Sequence, residues 1–214
     1  MVKLNTLRTI IHDILLAISN ENISESMPIS RIQIEQWIVQ YRSILIKQDI
    51  DKGRDVNRMY VQDIDNIQLE QIVSNNGMSV VLRSINKIPT TIDFHFASGI
   101  VDVRDKYGNE IQISTERRAL MQLNRRYTSL DYIAYKKGDR LYLAGPSEIR
   151  SINMSIIASN PSDVAGFSED QEYPIPANMI PVMREMILNK EIRTPRDDDK
   201  NNSKDDSRLQ QPEK

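Results

Sequence analysis

The period of the apolar residues changes near residue 55 of this chain, and that change constrains the fold more than any other feature. Up to about residue 52 they recur at spacings of three and four, and from Val56 they alternate and turn β-branched. A period of 3.6 buries one face of a helix, whereas a period of two buries one face of a strand. The chain therefore reads as α+β, with helices first and a mostly antiparallel β body after them.

Leu4, Leu7, Ile11, Ile14 and Ile18, widened by Ile10 and Leu15, predict a helix over residues 4–20. A polar connection follows from Asn20 to Pro28. Ser30 with Gln33 has the pattern of a capping box, and Ile29 is placed as its staple. A second helix then carries Ile34, Trp37, Ile38, Tyr41, Ile44 and Leu45 on one face and ends near Gly53. The short connection predicts that the two helices pair as an antiparallel hairpin over residues 1–55.

Residues 56–159 predict one mostly antiparallel sheet or small barrel. Ile100–Val103 and Glu110–Ile113 flank a turn at 104–109, and Tyr132–Lys136 and Arg140–Leu143 flank Lys137-Gly138-Asp139. Met78–Ile85, Ile92–Phe96 and Ile152–Ala158 are further strands. A short inserted helix spans about Thr115–Asn124, with Ser114 as its N-cap. Residues 160–193 begin as a polar loop, become extended at Tyr173-Pro-Ile-Pro176, and end in a helix. Pro181 is tolerated only in a first turn, so that helix begins nearer Met179 than Ala177. Its apolar face is Met179, Val182, Met183, Met186 and Ile187. Residues 194–214 hold five basic and six acidic side chains, with Leu209 the one large aliphatic. Such a tail cannot bury enough apolar surface to offset its ordering entropy, so it reads as disordered unless a partner orders it.

Much chemistry is excluded. There are no cysteines, hence no disulfide, thiolate nucleophile or thiolate metal site. No two glycines lie closer than seven residues, which removes the phosphate-binding loop, the dinucleotide fingerprint and the nucleophile elbow. The two histidines, His12 and His95, have no zinc-binding spacing. A Ser–His–Asp site around Asp93 and His95 is outweighed by a solvated strand histidine. Asp102, Asp105 and Glu110 are the carboxylates one would name for a carboxylate-dependent enzyme, although acids in a hairpin usually face solvent. No segment reads as a membrane span or an export signal, which points to a protein made in a cytoplasm.

Two kinds of contact surface stand out. Arg117, Arg118, Arg125 and Arg126 cluster in and after the short helix, with Arg118, Gln122 and Arg125 spaced to share a face. They could meet nucleic-acid phosphates or a partner's carboxylates. The formal charge of −2 and the absence of a longer basic tract favour a solvated face or a protein interface, with a nucleic-acid-binding module as the alternative. Trp37 and Tyr41, one turn apart, and Met179, Met183 and Met186 are core residues if their helices pack inward, and interface anchors if the helices project.

Arg8-Thr-Ile-Ile-His-Asp-Ile14, Ile29-Ser-Arg-Ile-Gln-Ile-Glu-Gln-Trp-Ile38 and Arg42-Ser-Ile-Leu45 resemble virion proteins of crAss-like podoviruses that infect Bacteroides. Glu172-Tyr-Pro-Ile-Pro176 and the stretch from Met179 to Ile187 fit the same resemblance. It implies a non-enzymatic ring subunit of the portal, head–tail connector or tail, with no cofactor and no metal. It also implies a homo-oligomer of about twelve copies that touches portal and tail proteins, with DNA passing through the lumen. The virion is then its location, after assembly in the host cytoplasm.

Overall fold

The structure, a computed structural model of the 214-residue chain, describes residues 5–19, 29–73, 80–95, 98–123, 125 and 131–192. The connection at 20–28, Met78, Phe96, Arg126 and the segment 194–214 lie outside these residues. Among the described residues the architecture is α+β: four helices and a mixed, mostly antiparallel sheet of seven strands. Among the described residues no helix is long and apolar enough to cross a membrane.

Helices α1 (Leu7–Ser19) and α2 (Arg31–Asp51) lie where the periodicity predicts. Ser30 caps α2, its Oγ accepting from the Gln33 amide at 3.2 Å, and Gly53 follows the helix with φ +77°. Helix α4 (Met179–Ile187) begins at Met179, with Pro181 in its first turn, and runs on into a π-helical turn over Leu188–Ile192. The extended Pro segment joins these helices, since Tyr173 and Ile175 are buried among Leu7, Ile11, Ile34, Ile38 and Met183.

The strands are β1 (Gln62–Val73), β2 (Val80–Ser84), β3 (Ile100–Asp105), β4 (Gln112–Ile113), β5 (Ile133–Lys137), β6 (Arg140–Ala144) and β7 (Ser151–Ile156). Their order is β3-β7-β1-β2-β6-β5-β4. The two edges of that order meet. Arg104 bridges Glu110, and the Ile111 amide donates to the Val103 carbonyl at 2.7 Å, so the sheet curls towards a barrel. Inward side chains from most strands, including Ile67, Leu82, Val103, Leu143, Ile152 and Met154, fill one core. Helix α3 (Glu116–Leu123) covers the outside of β5 and β6, packing Ala119 and Leu123 on Ile133, Tyr135 and Tyr142.

Several local expectations are corrected. The turn at 104–109 forms, but β4 leaves β3 after the Arg104–Glu110 bridge and pairs parallel with β5. The second hairpin forms, with Gly138 at φ +62°. Residues 92–95 are not a strand; only Thr91 bridges, to Ala158. The side-chain cap of α3 is Thr115 rather than Ser114, whose amide donates instead to the Ala134 carbonyl. The longest strand, β1, appears nowhere in the strand assignments from sequence.

Candidate functional site

Helix α2 does not project from the β body. Arg42, fully buried, donates from Nε to the Pro174 carbonyl at 2.9 Å and from Nη1 to the Ala158 carbonyl at 2.8 Å. Its third nitrogen reaches the Tyr60 carbonyl at 3.5 Å, and its guanidinium carbon stands 5.8 Å from the Tyr173 ring centroid. Burial lowers its pKa to about 10. One side chain thus ties α2 to the end of the sheet and to the Pro segment. Four residues further on, Ile46 packs against Tyr60, Ile92 and Ile157. Sequence reading missed Arg42 because an arginine beside an apolar stripe normally reads as solvated.

This docking decides what the aromatic and methionine candidates can reach. Tyr41 is buried; its hydroxyl donates to Glu191 Oε1 at 2.6 Å, and Lys190 Nζ lies 5.9 Å from its ring centroid. Burial pushes the Tyr41 phenol up to about 12. Met183 is fully buried, so neither residue offers accessible surface to a partner in this arrangement. Trp37, Met179 and Met186 are partly buried against the same helical core.

The arginines of α3 are placed differently. Because Ala119 and Leu123 face the sheet, Arg117, Arg118 and Arg125 are exposed, and none of them makes an ion pair among the described residues. Glu116, their nearest acid in sequence, is engaged by Lys137 Nζ at 2.5 Å. Met121 sits between them, 54% exposed. The outward stripe therefore carries Arg117, Arg118 and Met121 on the helix and Arg125 just beyond its end, while Gln122 is half-buried.

A second feature had no signal in the sequence, since it forms between distant segments. An open groove of about 540 Å³ runs between α1 and α4, with Ile10, Ile180, Pro181 and Leu188 as its apolar lining. Asp13 and Glu185 stand at it, both exposed and without an ion pair among the described residues; Arg184 lines it too.

The carboxylate candidates do structural work in turns. Asp105 accepts from the Tyr107 and Asn109 amides and from Asn109 Nδ2, at 2.8–2.9 Å. Burial works against its charge, but these hydrogen bonds prevail and hold its pKa below the ordinary value. Asp102 pairs with Arg104 at 2.5 Å, and Glu110 is exposed. His12 and His95 are exposed and lie on separate elements. Among the described residues no three His, Cys, Asp or Glu side chains come together as a metal site.

The described residues thus present an exposed basic stripe and an open groove, on a body whose halves are tied through Arg42. One family model, CrAss_Ring_2, described as phage tail ring protein 2, matches residues 9–207. No curated protein matches the chain.

Proposed function

The chain belongs to the phage tail ring protein 2 family, whose members are structural proteins of the virion tail, and from that premise we propose that it is the subunit of a homo-oligomeric ring linking capsid to tail at the portal. The observation that carries this reading is the extent of the family match, which takes in α1, α2, the sheet and α4 alike. Ring membership on this reading is a property of the whole body rather than of a grafted module. The ring of this reading holds about a dozen copies in head-to-tail contact, an arrangement that closes when the rotation between neighbours divides a full turn. It assembles in the host cytoplasm, and it touches portal and tail proteins by protein–protein contacts without catalysing a reaction. A formal charge of −2 suits a conduit along which DNA slides rather than binds.

The test is to mix the purified chain with the portal protein of the same phage and image the mixture by electron microscopy. Rings of about twelve subunits stacked on the portal are expected. A chain that stays monomeric and binds no portal or tail protein overturns the proposal.

A further inference from the structure

A ring made by head-to-tail contact needs two different surfaces that fit one another on every copy. The α3 stripe and the α1–α4 groove have that relation. The stripe carries three exposed arginines around an exposed methionine, a net +3. The groove has an apolar lining flanked by Asp13, Glu185 and Arg184, a net −1. The arginines and both acids lack ion partners among the described residues, so each surface carries charge that its own chain leaves unsatisfied. Within one copy they belong to different clusters: α3 is packed on β5 and β6 through Ala119, and the groove lies in the helical cluster.

We infer that α3 of one copy seats in the α1–α4 groove of the next, with Met121 entering between Ile180 and Leu188. Arg117 on the helix and Arg125 just beyond its end then bracket the insertion and face the partner's Asp13 and Glu185. A helix laid in an apolar groove with charges at its margins is a recurrent mode of recognition. Arginine suits it because its planar fork meets carboxylates two bonds at a time. Nucleic acid is the weaker occupant for α3, since a half-exposed methionine in the middle of the stripe gains nothing from phosphates. The inference rests on the ring reading above and adds to it the two faces that meet.

The test uses the full-length chain and sedimentation over a range of concentrations. Arg117→Glu with Arg125→Glu weakens self-association at least about tenfold, as like charges brought together do. Asp13→Arg with Glu185→Arg does the same, and all four changes in one chain restore it. Restoration also shows that the two double variants fold. Wild-type rings that neither double variant disturbs overturn the seating while leaving the ring reading intact. A wild-type chain that never associates, alone or on its partners, overturns the ring reading and the seating with it. Loss of DNA affinity in the arginine variant, with ring size unchanged, assigns α3 to DNA and overturns the inference.

Discussion

Arg42 is a buried cation whose hydrogen bonds all go to carbonyl oxygens, those of Pro174, Ala158 and Tyr60. Those carbonyls have turned away from regular strand pairing, and the guanidinium satisfies them across three segments far apart in sequence. Replacing it strands them in the interior, at about 1–3 kcal/mol for each buried polar group left without a partner. Arg42→Ala is expected to lower the unfolding free energy by on the order of 4 kcal/mol, measured by urea denaturation, and Arg42→Met by nearly as much although it keeps the stem. A loss below about 1 kcal/mol in both would show that the node is not structural. Beside it, the Tyr173 hydroxyl is buried with no hydrogen-bond partner among the described residues. Tyr173→Phe removes an unsatisfied group and is expected to leave the urea midpoint unchanged or raise it. A clear fall would mean that the hydroxyl has a partner.

At the scale of elements, β1 shows how a strand escapes sequence reading. Its core residues Ile64 and Ile67 are three apart, not two, because a bulge shifts the register between them. Asn66 takes the extra step with φ +56°, its amide donating to Asn153 Oδ1 at 2.9 Å. Pairing with β7 continues past the bulge through Ile67 and Gln68, and from Leu69 onward the strand pairs with β2. Asn66→Gly is expected to be nearly neutral, whereas Asn66→Val costs about 1–2 kcal/mol, since a left-handed residue with a branched side chain is strained. Equal melting temperatures for the two would contradict this. The helices were legible because their stripes and caps are local: Ser30, Gly53 and Pro181 fix their ends within a few residues. The hairpin at Gly138 was legible for the same reason. The parallel pairing of β4, the isolated bridge at Thr91 and the α1–α4 groove were not, because each is decided by a partner far along the chain. Of the site candidates, the exposed Arg117, Arg118 and Arg125 were named from sequence, but Met121 and the groove acids Asp13 and Glu185 were not.

For the molecule as a whole, α2 is the member shared by the helical cluster and the body. It gives Ile34, Ile38 and Tyr41 to the first and Ile46 to the second. A body tied in this way should unfold in one transition, and its pH dependence should show at the alkaline end. Burial pushes Tyr41, Tyr135 and Tyr173 up to about 12, and Tyr60 higher still, from an ordinary value of 10. The unfolded chain releases those protons first, so stability is complete below pH 10 and falls as the pH rises towards 12. Arg42, lowered to about 10, works in the opposite direction, but it is one group against four tyrosines. Urea midpoints at pH 8 and pH 11 are expected to differ, with the lower one at pH 11; a flat profile would contradict the burial of these phenols. Whether this body repeats around an axis is decided by the mass of the purified full-length protein, measured by light scattering alone and with its portal. A closed species near a dozen times the 24.7 kDa of one chain is expected. A mass of one chain under both conditions would contradict it.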